Sequence, residues 1–129
     1  MKNIISTPKA PAAVGPYSQG VMANGFLFVS GQIPLDPATG EVLEGSISER
    51  AILVLENIGE VLAAAQLTYE DVVKTTIFLT DIGDFAAVNE VYAQYFKKKM
   101  PARSCVQVAA LPKGLNIEIE VIAAGKSEK

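Results

Sequence analysis

Two stretches near the C-terminal end, Ala102–Val108 (ARSCVQV) and Ile117–Ala124 (IEIEVIAA), indicate the fold of this chain most directly. Each is short and rich in apolar or β-branched residues, which is typical of strands. The connection between them contains Pro112 and Gly114, residue types that interrupt regular structure. The two strands are therefore predicted to pair as a C-terminal hairpin.

Alternation of side chains predicts which residues of this hairpin share a face. Arg103 and Cys105 lie on one face of the first strand, and Glu118 and Glu120 lie on one face of the second. If the apolar faces turn together toward the core, these four side chains come to lie side by side. The spacing does not define the register, so either glutamate is a candidate neighbour of Arg103.

Toward the N-terminus, the residue pattern predicts the element order β-β-α-β-α-β-β. Asn24-Gly25 is a strong hairpin signal, and Ser46 with Glu49 matches a capping box at the start of a helix. The predicted elements before the hairpin are strands over 17–23 and 26–30, a helix from 46 to 65, a strand over 72–79, a helix from 84 to the lysine run at 97–99, and a short extra strand near 3–6.

Length and composition predict one α+β domain, residues 1–129, that associates with copies of itself. Half of the residues are hydrophobic and the mean hydropathy is +0.28, which is apolar for so short a chain. Two helices can cover only one face of the predicted sheet. We therefore expect the other face to be buried in an oligomer.

Missing residue types exclude several classes of site. The chain has no histidine, which excludes a Ser-His-Asp triad, a Cys-His pair and histidine-based metal sites. Its one cysteine, Cys105, cannot form an internal disulfide, which favours a reducing compartment such as the cytoplasm. The chain has a net charge of −3 and lacks the excess of basic residues that is typical of nucleic-acid-binding proteins. Its first residues contain no apolar run typical of a signal peptide or membrane span. We expect no metal, nucleic-acid or membrane partner.

The arginine and the two glutamates admit two interpretations. An arginine fork can hold a carboxylate through two parallel hydrogen bonds, and a nearby glutamate can activate a water molecule. The alternative is a structural cross-strand ion pair, worth about 0.2–1 kcal/mol. Spacing alone favours the ion pair, because structural ion pairs are common.

Three other residues carry weaker signals. Cys105 is predicted to be a small hydrophobe rather than a nucleophile, because no histidine is available to take its proton. Tyr17, near the start of a predicted strand, is typical of an ordinary surface or interface tyrosine. Asn89 lies at the margin of a helical apolar stripe, where either a helix–loop bond or a ligand or subunit contact would satisfy its amide.

At these residues the chain resembles the reactive intermediate deaminase (Rid, YjgF) family. The most specific matches are Pro101–Val106 (PARSCV), Leu111–Lys113 (LPK) and Ile117–Glu120 (IEIE). Further agreement extends the resemblance to nearly the whole chain, through Ala10–Gly20, Ser30–Pro34, Val73–Thr76 and Phe85–Asn89. Gln107 and Ala110 depart from the pattern, since many relatives have Glu and Arg there, and they leave fine specificity open.

The resemblance implies a chorismate-mutase-like fold, with two helices on one face of a mixed sheet, and a homotrimer with sites in clefts between subunits. It implies hydrolysis of 2-iminobutanoate and 2-iminopropanoate to 2-oxo acids and ammonia, without a cofactor, on imines released by pyridoxal-phosphate-dependent dehydratases. By the family motif, Arg103 binds the substrate carboxylate and Glu118 positions the water. The motif also implies pocket roles for Tyr17, Ser30, Gly31, Asn89 and Cys105, with Gly31 and Cys105 contributing backbone groups.

Two other functions are compatible with this resemblance. A non-catalytic metabolite-binding or regulatory module would use the same cleft and Arg103, without needing Glu118 for turnover. RNA cleavage, sometimes proposed for this family, is disfavoured by the acidic charge and the missing histidine.

Overall fold

Six strands form one mixed sheet, and two α-helices pack on one of its faces. The computed structural model describes residues 2–125. Its main elements are β1 (Lys2–Ile5), β2 (Gly20–Ala23), β3 (Phe26–Gln32), α1 (Ile47–Ala64), β4 (Val72–Leu79), α2 (Phe85–Tyr95), β5 (Ala102–Gln107) and β6 (Ile117–Ala124). The predicted α+β class and element order, including the extra N-terminal strand, are confirmed.

Local sequence signals account for the first hairpin and the first helix. Asn24 and Gly25 have φ angles of 52° and 82°, the left-handed pair that a two-residue turn between β2 and β3 requires. Ser46 Oγ accepts the Glu49 N–H at 3.1 Å, and the Glu49 carboxylate accepts the Ser46 N–H at 2.8 Å. This is the predicted capping box, and α1 begins directly after Ser46.

The strand order is β1-β2-β3-β6-β4-β5, and it overturns the predicted C-terminal hairpin. β4 lies between β5 and β6, parallel to β5 and antiparallel to β6. The hairpin prediction is wrong because β4 is the apolar, β-branched strand that gains most from a neighbour on each side. β5 is largely exposed and forms the edge of the sheet instead.

Strand register puts Arg103 and Glu118 on opposite faces of the sheet. Thr75 pairs with Arg103 on one side and with Val121 on the other, so these three side chains share a face. Val121 is buried in the core, which makes this the face that the helices cover. Glu118 alternates with Val121 along β6 and lies on the other face. The prediction that Arg103 and Cys105 share a face with the glutamates is wrong, because it assumed direct pairing of β5 with β6.

The helix-covered face holds the core, and the opposite face is open. Fully buried core side chains include Leu27, Leu55, Ile58, Leu62, Ile77 and Ile119. On the opposite face, hereafter the open face, the apolar side chains of Ile4, Phe26, Phe28 and Val106 are each more than 40% exposed. The bare sheet face predicted from the helix count is therefore present. Among residues 2–125, neither helix is long and apolar enough to span a lipid bilayer.

Candidate functional site

Arg103 lies on the edge strand β5, with its guanidinium against α2. Its Nη1 donates a hydrogen bond to Oδ1 of Asn89 at 2.6 Å. Its Cζ lies 5.1 Å from the centroid of the Phe85 ring and 4.8 Å from the centroid of the Tyr92 ring. Cation–π attraction and one amide therefore hold the guanidinium, and all of these partners are neutral.

Within residues 2–125, Arg103 forms no ion pair with a carboxylate; the recorded pair joins Arg50 to Glu44 at 3.7 Å. The structural ion pair that the spacing favoured is thus absent from this part of the chain, because Glu118 and Glu120 lie on the open face. A guanidinium has five N–H donors, and Asn89 takes one of them. The remaining donors are available to an external carboxylate.

Cys105 follows Arg103 on the same face of β5 and is half-buried. Burial raises the pKa of its thiol, and the positive charge of Arg103 only partly opposes that effect. A protonated thiol is a weak nucleophile. This environment agrees with the predicted role of a small hydrophobe.

On the open face, Glu118 lines a cavity of about 530 Å³. A Cβ atom at position 31 would collide with the Glu118 carboxylate, so Gly31 leaves the room that this carboxylate occupies above β3. Burial is the larger cause that raises the pKa of Glu118, and the charge of Glu120 adds to it. A carboxylate with a raised pKa is a better acceptor for a proton from water near neutral pH.

The loop before β2 brings Tyr17 into the same cavity. β3 is bulged at Ser30-Gly31, a feature that redirects side chains and interrupts pairing. Ser30 Oγ donates to the Ser18 carbonyl at 2.6 Å, and the Ser30 N–H donates to the Gln19 carbonyl at 3.0 Å. Ser30 therefore joins the Tyr17 loop to the strand segment beside Glu118.

The structure separates the predicted site residues into two groups on opposite faces of the sheet. The arginine half-site, between β5 and α2, contains Arg103, Asn89 and Cys105. The glutamate half-site, at the open-face cavity, contains Glu118, Tyr17 and Gly31, with Ser30 beside them. One chain does not bring its arginine and its glutamate into one cleft. In the described residues, no cluster of three or more His, Cys, Asp or Glu side chains is arranged to hold a metal ion.

Sequence reasoning missed several residues that shape these half-sites. Phe85 and Tyr92 contact Arg103, and two aromatic residues flanking Asn89 at helical spacing were a usable signal for this contact. Gln19 carried no signal in sequence, yet its buried amide makes four hydrogen bonds to the N-terminal loop. Lys113 lines the cavity with a left-handed backbone, φ 59°, and no local pattern predicted that position.

Comparisons of sequence place the chain among known proteins. A family model described as Endoribonuclease L-PSP matches residues 7–125. A human protein named 2-iminobutanoate/2-iminopropanoate deaminase is 52% identical over 95% of this chain and 90% of its own length. A RutC family protein of Pyrococcus horikoshii is also 52% identical, over 95% of this chain and 98% of its own length.

Solved structures match the fold over nearly the full chain. The crystal structure of E. coli TdcF with bound serine has a TM-score of 0.90 and 48% identity, covering 96% of this chain and 99% of that one. The YjgF gene product of E. coli has a TM-score of 0.90 and 46% identity, with coverage of 96% and 99%. Both matches are close enough in sequence to indicate homology as well as a shared fold.

Proposed function

The chain belongs to the Endoribonuclease L-PSP family, the Rid (YjgF) family that its sequence resembles, and from this membership we propose that it is a hydrolytic deaminase of small 2-imino acids. Its substrates are 2-iminobutanoate and 2-iminopropanoate, and its products are the 2-oxo acids and ammonia. Mammalian relatives named for this activity are 50–54% identical over 95% of the chain. That similarity supports an enzyme rather than a binding module.

The geometric observation that carries this proposal is the environment of Arg103. Its guanidinium is held by two rings and one amide oxygen, and no carboxylate of residues 2–125 neutralises it. A planar cation with free donors binds a carboxylate through two parallel hydrogen bonds. Arg103 is therefore assigned to the carboxylate of the imino acid.

The complete site is assigned to a cleft between two copies in a homotrimer. Arg103 and Glu118 lie on opposite faces of one sheet, so the glutamate that serves a given arginine comes from a neighbouring copy. The exposed apolar side chains of the open face support burial against such a copy. Each trimer then contains three equivalent clefts.

The reaction needs only orientation and proton transfer. Arg103 holds the carboxylate, and Glu118 holds a water molecule against the planar imine carbon. Water attacks that carbon, and one of its protons passes through Glu118 to nitrogen, which gives a carbinolamine. The hydroxyl proton of the carbinolamine then passes to nitrogen as the C–N bond breaks, which releases the 2-oxo acid and ammonia. Fixing water and imine in one geometry supplies much of the rate enhancement, because it removes the entropy cost of their encounter.

The other proposed site residues support these two groups. Asn89 orients the guanidinium through its 2.6 Å hydrogen bond, and Cys105 and Gly31 offer backbone groups to the ligand. Tyr17 and Ser30 close the cleft near Glu118. The scheme uses no cofactor and fits a single domain, residues 1–129, that works in the cytoplasm beside pyridoxal-phosphate-dependent dehydratases.

A coupled assay tests this proposal. A dehydratase acting on threonine generates the imine, semicarbazide competes for it, and loss of semicarbazone on adding the protein reports hydrolysis. We expect Arg103→Ala to abolish acceleration beyond the spontaneous rate, whereas Lys97→Ala, which removes an exposed cation elsewhere, should retain it. Undiminished acceleration by Arg103→Ala would refute the assignment.

A metabolite-binding module is the second candidate function. The structure of the relative TdcF was solved with bound serine, so a homologous fold binds a small molecule that carries a carboxylate. The two candidates differ at Glu118, because only the deaminase needs it for chemistry. If Glu118→Gln binds 2-oxobutanoate normally and shows no phenotype in cells, the module is favoured.

A further inference from the structure

The face of α2 that meets Arg103 presents a ring, an amide and a second ring. Phe85, Asn89 and Tyr92 are spaced so that they lie on one side of the helix. All three contact the guanidinium, the rings at 5.1 and 4.8 Å and the amide through a 2.6 Å hydrogen bond. One surface of one helix therefore determines where the guanidinium lies.

Tyr92 is held in turn by the sheet beneath it. Its hydroxyl lies 2.8 Å from Oγ1 of Thr75, in a buried hydrogen bond, and Thr75 has no exposed surface. Thr75 is also the residue of β4 that pairs with Arg103 in strand register. The hydrogen bond thus links the helix that holds Arg103 to the strand position beside Arg103.

This link matters because Arg103 lacks a counter-charge among residues 2–125. An unrestrained arginine samples many rotamers, and ordering it when a ligand binds reduces affinity. A carboxylate partner would restrain it but would also neutralise it. Aromatic rings restrain the guanidinium and leave its charge and its free N–H donors for the ligand.

We propose that the Thr75–Tyr92 hydrogen bond is a positioning device for the substrate-binding arginine. It fixes the Tyr92 ring, the ring fixes the guanidinium, and the guanidinium is then ordered before the ligand arrives. Thr75 and Tyr92 are positioning residues, since they act through Arg103. The inference rests on the proposed function in one respect, that Arg103 receives a carboxylate.

The experiment measures binding of 2-oxobutanoate by calorimetry, together with KM and kcat for imine hydrolysis. Tyr92→Phe and Thr75→Val each remove the hydrogen bond while nearly preserving side-chain volume. We expect Kd and KM to rise about three- to ten-fold in both variants, with kcat within about two-fold of the parent. A general loss of structure would instead lower the active fraction, and so kcat, without this selective rise in KM.

Tyr95→Phe is the matched control. It removes a hydroxyl from the same helix, where that hydroxyl donates to Glu56 at 2.8 Å, whereas the rings over Arg103 are those of Phe85 and Tyr92. Its Kd for 2-oxobutanoate should equal that of the parent. Tyr92→Phe keeps an aromatic ring at its position and decides the question even if Thr75→Val fails to fold.

Two results would overturn the inference, and they are distinguishable. If Tyr92→Phe binds 2-oxobutanoate as tightly as Tyr95→Phe while Arg103→Ala binds it weakly, the positioning role fails and the proposed function stands. If Arg103→Ala itself keeps the parent affinity, the carboxylate assignment fails and the positioning role fails with it.

Discussion

At the scale of single residues, Glu118 combines the properties that the base of the proposed reaction requires. It is half-buried, it lies near the charge of Glu120, and both conditions raise its pKa above the usual range of a glutamate. Gly31 leaves the space in which its carboxylate lies. The carboxylate is therefore a stronger proton acceptor than an exposed glutamate, and it is held in a defined place.

The raised pKa predicts the acid limb of the activity profile. In the proposed mechanism the ionised form of Glu118 is the base, so activity should fall as pH drops through a pKa above the ordinary value of about 4.3. Glu120→Gln removes one of the two causes and should shift this limb to lower pH while preserving the rate at its plateau. The measurement is kcat/KM for imine hydrolysis against pH, and an unshifted limb in Glu120→Gln contradicts this account.

The same shift has a consequence for stability with a definite sign. The pKa of Glu118 is higher in the folded state than in the unfolded state, so protonation of Glu118 stabilises the fold. This contribution to the free energy of unfolding is fully present below the unfolded-state pKa, and it is lost as pH rises through the folded-state pKa. Glu118→Gln cannot ionise and should therefore gain stability relative to the parent as pH rises through that window. Urea unfolding at several pH values measures the difference in free energy of unfolding between Glu118→Gln and the parent. Adding Glu120→Gln to both proteins should make this difference smaller.

At the scale of elements, the loop before β2 depends on one buried side chain. The Gln19 amide donates to the carbonyls of Thr7, Ala10 and Pro11 at 2.8–3.2 Å and accepts the Thr7 N–H at 2.6 Å. Its backbone carbonyl accepts the Ser30 N–H. Gln19 thus anchors the segment that carries Tyr17 into the cavity.

We predict that Gln19→Leu destabilises the fold and disorders this loop. The substitution leaves buried carbonyls without donors, at a cost of about 1–3 kcal/mol for an unsatisfied buried group. Urea unfolding measures the stability, and proteolysis of the N-terminal loop should become faster. Gln94→Leu, at an exposed position on α2, is the control and should change neither the stability nor the rate of proteolysis. Parent-like stability of Gln19→Leu would contradict the anchoring role.

At the scale of the whole molecule, the two half-sites face away from each other across one sheet. The proposed cleft between two copies takes Arg103 from one copy and Glu118 from its neighbour. Activity should consequently be recoverable from two inactive variants, one defective in each half-site. The exposed apolar side chains of the open face support the proposed association of copies.

The prediction is intersubunit complementation between Arg103→Ala and Glu118→Gln. When equal amounts are unfolded together and refolded, about a quarter of all clefts should pair an intact arginine with an intact glutamate. The coupled imine assay should then recover roughly that share of the parent activity. Refolding Arg103→Ala with Arg103→Gln is the control and should recover none; if the Arg103→Ala and Glu118→Gln mixture gives no more than its separate components, the shared cleft is refuted.

Features that rest on interactions between neighbouring residues could be predicted from the sequence. The Asn24-Gly25 turn and the Ser46–Glu49 capping box depend on residues close together in the chain, and each was predicted correctly. The motifs around Arg103 and Glu118 also identified the family, because they occur as short, specific stretches.

How these parts pack together could be seen only in the folded chain. Pairing between strands depends on contacts between residues far apart in sequence. β4 lies between β5 and β6 because burial between two neighbours stabilises an apolar strand more than it would stabilise the exposed β5. That insertion put Arg103 on the helix-covered face and Glu118 on the open face. Arg103 consequently contacts aromatic rings of α2 and does not form the expected ion pair. Side-chain alternation along a strand cannot predict which element packs over that strand.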